Sequence, residues 1–152
     1  MSFAELPWSA RKAVMGAEAE SKFDSLHKNA TSFGLNLPPI DVPALPLVLR
    51  YAPDRLQSNR FVECKGVGKD GILKLKLDQL FSLQWWDAIL AVYVFIWDSY
   101  RKRYTTISLG ELRRVAEAHG TLGQFPEGKP IWQISVDFLP SEWVDDGTSD
   151  SD

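Results

Sequence analysis

The chain has a single cysteine, Cys64, in 152 residues. That excludes an internal disulfide framework and a cysteine-based zinc cage. Histidine is almost as scarce. His27 and His119 fall in helical stretches far along the chain from the acids considered below, and each reads as a structural residue. No apolar run approaches the roughly 20 residues that a membrane helix needs. The N-terminus, Met-Ser-Phe-Ala-Glu-Leu-Pro-Trp, lacks the basic-then-apolar form of a signal peptide. These absences point to a cytoplasmic protein with no membrane partner. No internal repeat is visible.

An excess of positive charge is also missing. The formal net charge is −3, which at first argues against nucleic acid. The distribution qualifies this, because residues 145–152 hold four acids and no base. Removing four acids from a net −3 leaves a body of +1. Local clusters then matter more than the total. Lys65, Lys69, Lys74 and Lys76 form one, and Arg101, Lys102 and Arg103 form another. The alternative reading of each is a solvated face.

What is present suits one ordinary globular domain: 45% hydrophobic and 24% charged residues. Apolar residues at three- and four-residue steps (Val14, Phe23, Leu26, Ala30) predict a helix over 9–33, ended by Gly34. Pro38, Pro39, Pro43 and Pro46 punctuate an extended linker. Strands are predicted over 47–52 and 60–65, with a turn at 57–59 between them. Residues 72–77 suit a third strand. Asp78 is the expected N-cap of a helix over 79–88. Residues 89–97 are apolar on both faces and predict a buried central strand, followed by a strand over 104–107. Ser108 should cap a helix that stops at Gly120, and 131–136 should form a last strand. The order is mixed α/β, and short turns between the first strands exclude a purely parallel sheet.

The chemistry concentrates at residues 54–65. Glu63 and Lys65 share one face of a strand, while Cys64 points to the other. Asp54 lies nine positions before Glu63, across the expected hairpin turn. Antiparallel pairing can bring such positions within a side-chain length. Two carboxylates so placed repel unless a cation lies between them. Magnesium suits that set, with hard oxygen ligands and the remaining positions filled by water and phosphate. Asp54 and Glu63 are the candidate metal ligands, with the carbonyl of Cys64 as a further one. Lys65 would serve the attacking water or the charge on phosphorus. The Cys64 thiol itself reads as a small buried group.

Pro53-Asp54 followed by Glu63-Cys64-Lys65 resembles the signature of the PD-(D/E)xK nuclease superfamily. That superfamily includes restriction endonucleases, archaeal-type Holliday-junction resolvases and many phage nucleases. The resemblance covers about residues 9–108. It implies a restriction-endonuclease-like core, a mixed central sheet flanked by helices, in one nuclease-like domain over 1–144. Residues 145–152 are then a disordered acidic tail. Gly16 and Glu20 resemble the family's Gly-x-x-x-Glu pattern on the first helix, which would add Glu20 to the catalytic set. Lys76 and Gln79 match the placement of a further family Lys or Gln, and with Lys69 and Lys74 they are candidate DNA contacts.

The function implied is a Mg2+-dependent endodeoxyribonuclease, with Mn2+ able to substitute, acting on branched or structured DNA. A junction substrate would favour a homodimer, because two strands must be cut symmetrically. The small size suits a phage or prokaryotic source. Other readings stand beside this one. Glu63 and Lys65 alone describe a surface ion pair. Trp85, Trp86 and Trp97 suit base stacking or core packing. The same fold could bind DNA, or a nuclease partner, without cutting. The acidic tail and aromatic surface could instead recruit a protein partner.

Overall fold

The computed structural model describes residues 8–34, 47–139 and 142–146. Along them run α1 (Trp8–Leu26), β1 (Thr31–Ser32), α2 (Leu47–Arg50), β2 (Arg55–Gln57), β3 (Arg60–Val67), β4 (Ile72–Lys76) and α3 (Leu77–Asp87). Next come β5 (Val92–Asp98), β6 (Arg103–Ser108), α4 (Leu109–His119), β7 (Thr121–Gln124), β8 (Pro130–Ser135) and β9 (Val144–Asp145), with a 3-10 turn at Val136–Phe138.

The apolar stretch expected as a central strand is β5, where every side chain but Tyr93 is buried. It pairs parallel with β3, from Phe61↔Val92 to Val67↔Asp98, and antiparallel with β6. The whole sheet has the order β1-β2-β3-β5-β6-β9. It is therefore a mixed central sheet flanked by helices. The parallel step from β3 to β5 is made through α3, as a parallel pair requires a long crossover.

Each face of the sheet has its own core. On one face Val62, Cys64, Phe95 and Trp97 pack against Ala19 and Phe23 of α1. Burying side chains as large as Phe23 and Phe95 stabilises by about 1.5–3 kcal/mol each. On the other face Phe61, Val94 and Ile96 meet Leu73 and Leu75 of β4, Leu80 and Leu83 of α3, and Leu112 of α4. The period-two burial of Leu73 and Leu75 against Lys74 and Lys76 makes β4 a strand.

Several expectations are corrected. Residues 47–52 do not form a strand. Leu47–Arg50 is a helical turn, because the backbone there folds over α3: the Trp86 indole donates to the Val48 carbonyl at 2.8 Å, and Ser82 Oγ donates to the Tyr51 carbonyl at 3.2 Å. The strand partner of β3 is instead β2, which includes Gln57 of the expected turn. The first helix ends at Leu26, well before Gly34, and Thr31–Ser32 pairs with β2. Val14 and Leu26, expected on its apolar face, are exposed, and Ala19 and Phe23 carry the contact. The third strand, β4, leaves the central sheet and joins β8 and β7 in a second one. Strand β7 has no counterpart in the expected order. Residues 89–91 precede the central strand, since the Ile89 and Leu90 N–H groups still bond to Trp86 O. Asp78 is not the N-cap of α3. Lys76 is, with no side-chain bond, and Asp78 sits in the first turn, where an acid suits the helix dipole. Ser108 does cap α4, its Oγ accepting from the Glu111 N–H, and Gly120 follows the helix end.

Asp145 and Asp146, expected in a disordered tail, are tied to the fold. Asp145 pairs with Arg103, the Asp146 N–H donates to Lys102 O, and its carboxylate lies 2.6 Å from Lys22 Nζ. Residues 147–152 and the proline-rich stretch 35–46 lie outside the described residues. No helix among the described residues is long and apolar enough to cross a membrane.

Candidate active site

The site forms just before β2 begins. Strand β2 starts at Arg55, opposite Val62, so β3 runs on to Val67 without a β2 partner. Asp54 takes over the vacated ladder position. Its Oδ2 accepts the Cys64 N–H at 2.8 Å. In an extended strand the N–H and C=O of one residue face the same edge. The Cys64 carbonyl therefore also faces the edge where Asp54 sits.

Glu63 and Lys65 project from the opposite face to Cys64, toward α3. Lys65 Nζ lies 3.3 Å from Glu63 Oε2 and donates to Gln79 Oε1 at 2.7 Å. Gln79 Nε2 closes the ring by donating to the same Glu63 Oε2. Gln79 was a candidate DNA contact. The structure places it as the bridge that holds Lys65 and Glu63 in position.

The Glu63 side chain is 3% exposed. Its second oxygen, Oε1, is buried with no hydrogen-bond partner. An orphaned buried acceptor costs free energy, and more if charged. Burial first, and then the charge of Asp54, push the Glu63 pKa well above the ordinary carboxylate range, while Lys65 pulls it back. The neighbouring carboxylates thus favour a proton or a cation between them.

Glu20 reaches this neighbourhood from α1, bound to an arginine. Arg55 Nη1 lies 3.0 Å from Glu20 Oε1, and its Nε and Nη2 grip the Asp24 carboxylate at 2.9 and 3.0 Å. Arg55 Nη1 also donates to the Asp54 carbonyl at 3.0 Å. The bonds from Arg55 hold the Asp24 pKa below its usual range. Burial and the charge of Asp54 raise that of Glu20, against Arg55. Arg55 and Asp24 were missed from sequence. The signal was the i, i+4 pair Glu20 and Asp24, which puts two carboxylates on one helix face and invites a forked arginine.

The remaining candidates are dispersed. Lys74 Nζ lies 3.3 Å from Asp70, and Lys76 Nζ sits near the Tyr51 and Phe125 rings at 5.8 and 5.7 Å. Lys69 is exposed in the turn after β3. The Cys64 thiol is buried, and burial and the charge of Asp54 drive its pKa up, which disfavours the thiolate. His27 packs on Phe23 and His119 stacks on Phe138. Trp97 is core and donates to Glu18 at 2.8 Å, Trp86 is half-buried, and Trp85 is exposed.

No protein-family model, curated protein or solved structure matches the chain.

Among the described residues no group of three or more His, Cys, Asp or Glu side chains is arranged to hold a metal ion. The donor set at the β3 edge is smaller. It consists of the orphaned Glu63 Oε1, the Asp54 carboxylate and the Cys64 carbonyl. That fits Mg2+, which is commonly held by one or two carboxylates and keeps several waters. It does not fit a zinc or calcium cage, which needs more protein ligands.

Proposed function

We propose that this protein is a Mg2+-dependent endodeoxyribonuclease of the PD-(D/E)xK kind, with Mn2+ able to substitute. Its substrate would be branched or structured DNA, as for a Holliday-junction resolvase, and its working form a homodimer. The observation that carries this reading is the buried, unpartnered Glu63 Oε1 beside Asp54, with Lys65 Nζ 3.3 Å from the other Glu63 oxygen. The order of α1, the antiparallel β2–β3 pair, α3 and the parallel β5 supports a restriction-endonuclease-like core. The resembled core runs as a helix, a three-strand meander, a helix and a further strand, and the displacement of β4 into a second sheet departs from that meander.

Asp54 and Glu63 would hold the ion, with the Cys64 carbonyl beside them. A bound Mg2+ would acidify a water and withdraw charge from the phosphate. The chain's own residues would position and balance charge. Lys65, 19% exposed, can turn from Glu63 to a phosphate oxygen and offset the charge that develops there. Gln79 holds the lysine beside Glu63 until it makes that turn. Arg55 fixes Glu20 near Asp54, where its raised pKa suits it to take a proton from water. Hydrolysis adds water across the phosphodiester, breaking one P–O ester bond and leaving a phosphomonoester and a hydroxyl.

The test is incubation with branched, linear and single-stranded DNA, with and without Mg2+ or Mn2+. Metal-dependent cleavage is expected. Lys65→Ala and Asp54→Asn should each lower the rate by about a hundredfold or more, the scale set by removing an electrostatic or acid–base group. Cleavage that survives either substitution rejects the site. A second reading is a non-catalytic DNA-binding or nuclease-partner module of the same fold. It is favoured by the internal neutralisation of Lys65 by Glu63 and of Glu20 by Arg55. Salt-dependent DNA binding with no product in either metal would select it.

A further inference from the structure

The basic residues 101–103 and Lys69 meet at one end of the central sheet, a place the proposed chemistry does not use. The β5–β6 hairpin turns through residues 99–102 beside the turn 68–71 that follows β3. Ser99 fastens the two, donating both its N–H and its Oγ to the Val67 carbonyl at 3.1 Å. Asp98, fully buried, braces the hairpin from inside. Its carboxylate accepts from the Arg101 N–H and guanidinium and from Arg103 Nε at 3.1–3.4 Å. The Arg101 guanidinium lies against Gly71, where an added Cβ would meet it at 3.0 Å.

The braced tip presents an exposed aromatic ring with two cations near it. Tyr100 is 60% exposed. Lys69 Nζ lies 5.9 Å from its ring centre and Arg101 Cζ 5.8 Å. Lys102 follows with φ of 53°, a left-handed backbone that favours glycine or asparagine, yet the chain carries a lysine there. The Lys102 carbonyl is fixed by the Asp146 N–H at 2.8 Å. Across 68–74 and 98–103 five bases face two acids, Asp70 and Asp98. A large exposed ring flanked by positive charge matches a nucleic-acid strand, whose unpaired bases stack on rings and whose phosphates meet cations. From Lys65 to Lys69 is four residues, about 13 Å or less of strand. One strand of a few nucleotides would therefore span the candidate active site and the tip.

Resting on the nucleic-acid reading above, we propose that the Lys69–Tyr100–Arg101–Lys102 tip is a second binding site for the substrate. Tyr100 stacks on an unpaired base, and Lys69 and Lys102 hold the flanking phosphates. The substrate class is then DNA with a single-stranded segment, such as a flap, overhang or open junction, in preference to a blunt duplex.

The test is fluorescence anisotropy in EDTA, where no cleavage occurs, with a 3′-overhang duplex and a blunt duplex of equal length. Tyr100→Ala should weaken overhang binding about tenfold, within the range for removing one base–ring stack, and leave blunt-duplex binding nearly unchanged. Tyr100→Phe should retain the overhang affinity, which separates stacking from a folding defect. The Lys69→Ala/Lys102→Ala double variant should reduce the salt slope on the overhang by about 1.4, because each phosphate no longer neutralised lowers it by roughly 0.7. Wild-type overhang affinity in Tyr100→Ala, equal weakening on both DNAs, or an unchanged salt slope would each overturn the proposal. So would failure of the wild type to bind either DNA at low salt. The metal site is judged separately, by Mg2+-dependent hydrolysis of bis(p-nitrophenyl) phosphate, which is too small to reach the tip.

Discussion

At the scale of single residues the arrangement turns on Glu63, which is buried where its charge is least welcome. Period-two alternation makes the shared face of Glu63 and Lys65 legible, whereas the register that carries Asp54 opposite Glu63 comes from β2, a strand that the residue pattern placed at 47–52 instead. The depth of burial is not legible in that way. Nothing local to Glu63 says that Gln79, sixteen positions on, will cover it. Glu63 has a raised folded-state pKa, so its stabilising contribution is fully present below the unfolded value and is lost as pH rises through the folded one. Glu63→Gln does not titrate, and its amide nitrogen would replace Oε1 with a donor beside the Asp54 carboxylate. Without divalent metal, Glu63→Gln should gain about 1–2 kcal/mol over wild type at pH 8. At pH 5 the gain should shrink. Urea unfolding at the two pH values measures it, and an equal gain at both would contradict the assignment. Added Mg2+ should stabilise the wild type, as any ligand of the folded state does, and leave Glu63→Gln little changed.

At the scale of elements the question is how α1 comes close enough for Glu20 to approach Asp54. Gly66 supplies the answer, since an added Cβ there would meet the Met15 carbonyl of α1 at 2.8 Å. The helix backbone rests directly on β3, and Arg55 then clamps it through Glu20 and Asp24. Gly66→Ala should push α1 away, costing about 1–3 kcal/mol as overpacking does, and, on the nuclease reading proposed above, lower cleavage more than the reduced stability explains. Thermal unfolding beside DNA-cleavage rates would show this. Unchanged rate and stability would mean that α1 tolerates displacement. The same scale explains what the residue pattern leaves hidden. β4 alternates correctly and is recognised as a strand, but alternation does not say which sheet it joins, and its partner β8 lies some 60 residues later. Residues 47–51 have strand-forming side chains, yet the Trp86 and Ser82 bonds to their carbonyls favour a helical turn. Tertiary contacts override local propensity there. β5 needed no such help, because burial on both faces is written in its own composition.

For the whole molecule, the uneven charge and the C-terminal segment belong together. Of the four acids after residue 144, Asp146 is committed to the fold through Lys22, and Asp145 lies in the ladder with β6. Beside them Arg103 lies 4.3 Å over the Trp143 ring. Residues 142–146 therefore strap α1 to the β6 edge of the sheet, close to the Arg101–Arg103 hairpin. A chain ending at Asp146 should match the 152-residue chain in denaturant midpoint. One ending at Trp143 should be less stable by about 1–2 kcal/mol, the scale of a few ladder hydrogen bonds and one partly buried ion pair. Charge separates the two truncations again. Ending at Asp146 removes only Asp150 and Asp152, changing the net charge from −3 to −1. Any resulting gain in DNA affinity should be confined to low salt, because at 0.15 M the Debye length is about 8 Å. Ending at Trp143 also frees Lys22 and the Lys102 carbonyl, so it should alter the tip as well as the total charge. An affinity change that persists at 0.15 M in the shorter chain alone would assign the strap a part in holding the tip. The same persistent change in both truncations would place the effect in residues 147–152.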